Sequence, residues 1–209
     1  MTSLEYILQH KIVAILRGFK KNDVINIASA LHEGGINIIE VTLNSEDALS
    51  LIKKLTSTFK NKMLVGAGTV LTVTDALKSI DAGARFLISP TLDVDVIKAA
   101  KKNSVVSIPG AYTPTEIFIA YKSGADIIKV FPSQTPDYIK QVLAPLNQVL
   151  LMPTGGIGIN NIGAYKKAGA SAFGIGSSLV NNKDEVNDLY LQKLITNAER
   201  FVDAITNIT

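Results

Sequence analysis

The chain has 209 residues, 47% of them apolar and 19% charged, with a net charge of +3. This excludes a disordered polar chain and suits a single large-core domain, or at most two small ones. There is no cysteine, which excludes disulfide and thiol chemistry and is compatible with a reducing cytoplasm. The opening residues, MTSLEYILQHKIVAIL, are interrupted by Glu5, His10 and Lys11 and do not read as a signal peptide. No apolar run approaches the about 18 residues of a membrane-spanning helix. Many of the lysines fall in scattered doublets (Lys20-Lys21, Lys53-Lys54, Lys101-Lys102, Lys166-Lys167), each in or beside an expected helix, where a solvated face explains them. With no basic block interleaved with aromatics, no nucleic-acid partner is expected.

Short β-branched runs are expected as strands at 12–16, 37–43, 63–65, 86–89, 105–108, 126–131, 149–152 and 172–175. Between them the spacing is helical. In 23–32, for example, Val24, Ile27, Ala28 and Leu31 recur at i, i+3, i+4 and i+7. Strand–helix alternation at a steady pitch argues for a parallel sheet with crossover helices. Four helices are expected to end in glycine (Gly34, Gly83, Gly124, Gly169), and those between them in Asn61, Asn103 and Asn147. Both residue types tolerate a left-handed cap. The first, third, fifth and seventh strands also run into glycine, at Gly18, Gly66, Gly110 and Gly155. A two-unit period repeated four times is what a single-domain (β/α)8 barrel of the TIM type shows, because alternate strands feed different interior layers. The rival is an open doubly wound sheet.

Two of these strands carry a charge. The second reads Ile38-Ile39-Glu40-Val41 and the sixth Ile127-Ile128-Lys129-Val130, in the same frame. Side chains alternate across a strand, so if Ile39, Val41, Ile128 and Val130 face the helices, Glu40 and Lys129 point into the barrel. Arg17 ends the first strand on the same interior side. One reading is a buried structural ion pair, which contributes weakly to stability. The other is a site, since barrel sites lie at the C-terminal ends of the strands. A desolvated lysine has a lowered pKa, is a nucleophile near neutral pH and forms a Schiff base with a ketone. The protonated imine then draws electrons from a neighbouring C–C bond. Glu40 is placed to shuttle the proton, and Arg17 suits a substrate carboxylate.

The seventh strand ends in MPTGGIG and the eighth in GIGSSLV. Loops after these two strands commonly hold phosphate in this fold. Gly155, Gly156 and Gly176 let the backbone approach the anion, and Ser177 adds a hydroxyl. The GAGTV loop after the third strand brings Thr69 to the pocket. Neither His10 nor His32 suits a metal, no ligand cluster is visible, and no metal or cofactor is expected.

In order, the motifs AILRG, IIEVTLNS, VGAGTV, ISP, SIPGAYTPTE, IIKVFPS, PTGGI and GIGSSLV cover residues 12–180. With them the chain resembles the class I aldolases for 2-keto-3-deoxy-6-phosphogluconate, also described as 4-hydroxy-2-oxoglutarate aldolases. The resemblance implies that Lys129 forms the Schiff base with pyruvate or the keto-sugar acid and that Glu40 moves protons through a water. It implies that Thr69, Pro90 and Phe131 line the pyruvate pocket and that Thr154, Gly155, Gly156 and Ser177 hold the far end of a phosphorylated substrate. It also implies a homotrimer. Many gluconate-type members carry arginine where this chain has Asn44. ILRG and TLNS look closer to the 2-keto-3-deoxy-6-phosphogalactonate branch, in which an arginine like Arg17 helps bind substrate. PTGGI, with Thr154, looks gluconate-like. A phosphosugar isomerase or epimerase on the same barrel, with Glu40 as base and Lys129 merely electrostatic, and a non-catalytic sugar-phosphate binder are the other readings.

Overall fold

The structure is a computed structural model describing residues 1–206. After helix α1 (Ser3–His10), strands and helices alternate: β1 (Ile12–Leu16), α2 (Val24–Glu33), β2 (Ile38–Thr42), α3 (Ala48–Phe59), β3 (Leu64–Gly68), α4 (Val73–Asp81), β4 (Phe86–Ile88) and α5 (Val94–Lys102). The pattern continues with β5 (Val106–Ile108), β6 (Gly110–Ala111), α6 (Pro114–Lys122), β7 (Ile128–Val130), α7 (Pro136–Leu143), β8 (Leu151–Pro153), α8 (Ile162–Lys167), β9 (Phe173–Ile175) and α9 (Asp188–Thr206). All pairings between these strands are parallel. Six strands run in the order β5-β4-β3-β2-β1-β9 and three in the order β6-β7-β8. The sheet is curled. Its two parts meet at a bridge between Thr154 and Gly174 and at the Ser107 carbonyl, which accepts from Asp126 N–H at 3.0 Å. No helix among the described residues is long and apolar enough to cross a membrane.

The expected strands form, with two additions. The fifth run is split, because Pro109 has no N–H to give to the ladder. Pairing resumes at Gly110, the glycine into which the fifth strand is expected to run. Helix α1 was not foreseen at all. Thr2 and Glu5 form a capping box that starts it. Its buried Ile7 belongs to an apolar cluster with Val13, Ile38, Phe86, Ile88, Val106, Ile108, Ile127, Met152 and Ala172. These strand residues share the parity of Glu40 and Lys129. Ile39, Val41, Ile128 and Val130 instead join the cluster that includes residues of the helices. The alternation inferred for the charged strands therefore holds.

The caps need correction. Gly83, Gly124 and Gly169 adopt positive φ as expected, but at the end of α2 it is Gly35 (φ +86), not Gly34. The left-handed residue is the one beyond the cap, where Ile36 N–H reaches back to the Leu31 carbonyl. Gly34 is needed for a different reason: a Cβ there would come within 2.5 Å of the Ala198 Cβ on α9. The asparagines do not take the left-handed role. It falls to Lys60 (φ +32) beside Asn61 and to Ser104 (φ +57) beyond Asn103, while Asn147 has no positive φ.

Candidate active site

Glu40 and Lys129 lie in the middle of their strands. Glu40 is in register with Ile15 on β1 and Gly66 on β3, and Lys129 with Gly110 on β6 and Met152 on β8. Both are buried, with 1% and 4% of their surface exposed. Room for Glu40 comes from the neighbouring strand. A Cβ at Gly68 would stand 1.5 Å from Glu40 Oε1 and 2.5 Å from its Cγ. Likewise a Cβ at Gly66 would enter the Phe86 ring at 2.4 Å. Interior glycines on β3 thus accept bulky side chains from β2 and β4. This gives a physical account of Gly66, one of the glycines foreseen on alternate strands.

Among the described residues neither carboxylate oxygen of Glu40 has a hydrogen-bond partner. The amine of Lys129 is therefore not in contact with it, and the two do not form a structural ion pair. Lys129 Nζ instead stands 4.9 Å from the centre of the Phe131 ring. Burial pushes the Glu40 pKa up, and the charges of Lys129 and Arg17 draw it part of the way back. Burial pushes the Lys129 pKa down from 10.5; the Glu40 charge opposes this and the Arg17 charge adds to it. Desolvation dominates in both, favouring the neutral forms. The result is an amine able to attack at a lower pH than an ordinary lysine, and a carboxyl able to carry a proton.

Lys129 opens into a cavity of about 520 Å³. Of the other residues foreseen, the wall includes Arg17, Phe131, Thr154, Gly155, Gly156, Gly176 and Ser177. Glu40, Thr69 and Pro90 are not on that wall. Glu40 is linked to it through its electrostatic coupling to Lys129 and Arg17. Thr69 directly follows Gly68, which packs on Glu40, and is held at φ +57. Pro90 packs its carbonyl against Gly110, the residue in register with Lys129. Asn44 is exposed and off the wall.

The far wall is made of the two glycine loops. Among the described residues, the N–H groups of Gly156 and Ser177 donate to no protein acceptor. The loops are held by residues the sequence reading missed. Asn161 donates to the Gly156 carbonyl at 2.8 Å and accepts from Gly158 N–H at 2.8 Å. Ser178 Oγ donates to the Ile157 carbonyl and ties one loop to the other. The asparagine pair after GGIG was the available signal for the first of these. Among the described residues no cluster of His, Cys, Asp and Glu could hold a metal ion.

The packing of Gly68 gives a direct test of the site. Gly68→Ala is expected to lower turnover by about 10²-fold, the scale of an ångström-level misplacement. Glu40 is buried and cannot move aside into solvent. Steady-state kinetics beside a thermal melt checks this. Unchanged turnover would show that the position of Glu40 is immaterial.

The family model for KDPG and KHG aldolase matches residues 4–194. The probable 2-dehydro-3-deoxy-6-phosphogalactonate aldolase of Rhizobium meliloti is 33% identical over 192 residues, covering 90% of this chain and 91% of that protein. The KHG/KDPG aldolase of Escherichia coli K12 is 34% identical over 168 residues, 78% of each. Among solved structures, the KDPG aldolase of Legionella pneumophila, with pyruvate captured at low pH as a covalent carbinolamine, superposes with a TM-score of 0.79 at 26% identity, over 100% of this chain and 98% of that one. The chain belongs to the KDPG and KHG aldolase family and is a class I aldolase, a carbon–carbon lyase.

Proposed function

We propose that this protein cleaves 2-keto-3-deoxy-6-phosphogluconate to pyruvate and D-glyceraldehyde 3-phosphate through a Schiff base on Lys129, and 4-hydroxy-2-oxoglutarate to pyruvate and glyoxylate by the same steps. The observation that carries the reading is the buried Lys129, its pKa lowered, opening into a cavity with the glycine loops on its far wall. The carbinolamine in the Legionella relative supports it.

The neutral amine adds to the keto carbon, the protonated Glu40 gives its proton through a water to the resulting hydroxyl, and water leaves, forming the protonated imine and the Glu40 carboxylate. Glu40, through a water, takes the proton from the hydroxyl on the fourth carbon. The bond between the third and fourth carbons then breaks, its electrons pass to the imine as an enamine, and the aldehyde departs. Protonation of the third carbon by Glu40 and hydrolysis return pyruvate and the free lysine. Arg17 takes the substrate carboxylate, and Thr69, Pro90 and Phe131 shape the pyruvate end. Thr154, Gly155, Gly156, Gly176 and Ser177 hold the phosphate, for which the unpaired N–H groups of Gly156 and Ser177 are suited.

The strands are taken as one closed (β/α)8 barrel and a single domain, with β5 and β6 counted as one strand interrupted at Pro109. The hydrogen bonds at both junctions of the sheet support that closure. The working state is taken as a cytoplasmic homotrimer.

The second reading is preference for the galactonate epimer. It is favoured by Asn44 standing off the cavity while Arg17 lines it, and by the Rhizobium relative. A coupled pyruvate assay on both epimers decides: higher kcat/KM for the gluconate supports the first reading, the reverse ratio the second. No pyruvate from either would return the site to an isomerase or a binder.

A further inference from the structure

Arg17 is the one cavity-lining cation besides Lys129 among the described residues. It is exposed, and its guanidinium makes no hydrogen bond or ion pair among them. No polar contact therefore fixes its side chain, and the backbone that carries it is held from two sides. On one side, Gly18 N–H donates to Ser45 Oγ at 2.9 Å, and Ser45 Oγ lies 3.0 Å from Thr42 Oγ1 at the end of β2. On the other, Asn182 Nδ2 donates to the Arg17 carbonyl at 3.0 Å. The fit is close: Gly18 has φ +68, and a Cβ there would stand 3.0 Å from that same Nδ2. Asn182 is itself seated, because Asn181 donates to Asp184 at 2.9 Å and Tyr190 Oη donates to the Asn181 carbonyl at 3.2 Å.

We propose that Asn182 is a positioning residue for Arg17: together with Ser45 it clamps the Arg17–Gly18 turn and so aims the guanidinium into the cavity to meet the substrate carboxylate. The proposal rests on the reading that Arg17 binds that carboxylate. A long, flexible cation on an unclamped turn samples many directions, and preorganisation converts its charge into affinity. The amide must donate, so a carboxylate cannot replace it.

The test is a double-variant cycle read in KM for the phosphorylated keto acid, with kcat measured in parallel. Arg17→Gln is expected to raise KM about tenfold or more, the value of a charge-assisted hydrogen bond. Asn182→Ala is expected to raise KM roughly three- to tenfold with kcat nearly unchanged, and Asn182→Asp not to restore it. In the Arg17→Gln background, Asn182→Ala should add nothing, because no guanidinium is left to aim. Additive effects in the double variant would mean that Asn182 acts on the substrate or the fold directly, and would overturn the proposal. If Arg17→Gln raises KM but Asn182→Ala does not, the clamp alone fails. If Arg17→Gln leaves KM unchanged, the carboxylate reading of Arg17 fails and the clamp falls with it.

Discussion

Lys129→Met is expected to reduce aldol cleavage to the uncatalysed background and to remove the mass adduct formed with pyruvate and borohydride. Methionine keeps most of the length of the side chain and its thioether packs well against a ring such as that of Phe131, over which Lys129 Nζ stands, but it cannot form an imine. The fold should survive. Lys129 makes no contact with Glu40 whose loss would leave a broken pair, and an apolar side chain at this buried position has no charge to desolvate. The Lys129 charge lowers the Glu40 pKa, so its removal raises that pKa further and favours the neutral carboxyl in its burial. Intact mass after trapping, peptide mapping and a thermal melt check the three parts together. A folded variant with full activity, or an adduct on another lysine, would exclude Lys129 as the nucleophile.

What could be read in advance was governed by short-range alternation. The matching frames of IIEV and IIKV placed Glu40 and Lys129 on the interior parity, because a strand reverses its face at every residue. The glycine loops were legible for the same local reason. Features that depend on distant partners were not. Nothing near residue 182 announces that its amide reaches the carbonyl of Arg17, 165 positions earlier. Helix α1 is only eight residues long, too short for a helical period to stand out, although Thr2 and Glu5 spell a capping box. The asparagine caps failed because the left-handed position depends on how each last turn closes, which composition does not specify. Glu40 and Lys129, placed on the interior by parity, couple electrostatically without touching, and how far each side chain reaches across the interior is a three-dimensional quantity that the strand frames do not specify.

Glu40→Gln should separate the two halves of the mechanism. Glutamine has nearly the same shape and fits the space left by Gly68, so the variant tests the proton rather than the packing. Turnover is expected to fall about 10²–10⁴-fold, the usual value of a positioned acid–base group, while pyruvate is still trapped on Lys129. The pH dependence of trapping carries a sign. Lys129 must be neutral to attack, so trapping is lost as pH falls through its pKa. Burial and the Arg17 charge hold that pKa down, and the Glu40 charge holds it up. Removing the Glu40 charge therefore lowers it further, and the acid limb of trapping should move to lower pH. Borohydride trapping across a pH series, beside steady-state turnover, measures both. A fall in turnover of less than about threefold would remove Glu40 from the mechanism, being well below that range. A limb that moved to higher pH would reverse the electrostatic relation between the two groups and with it the account of why a carboxylate and an amine share this interior.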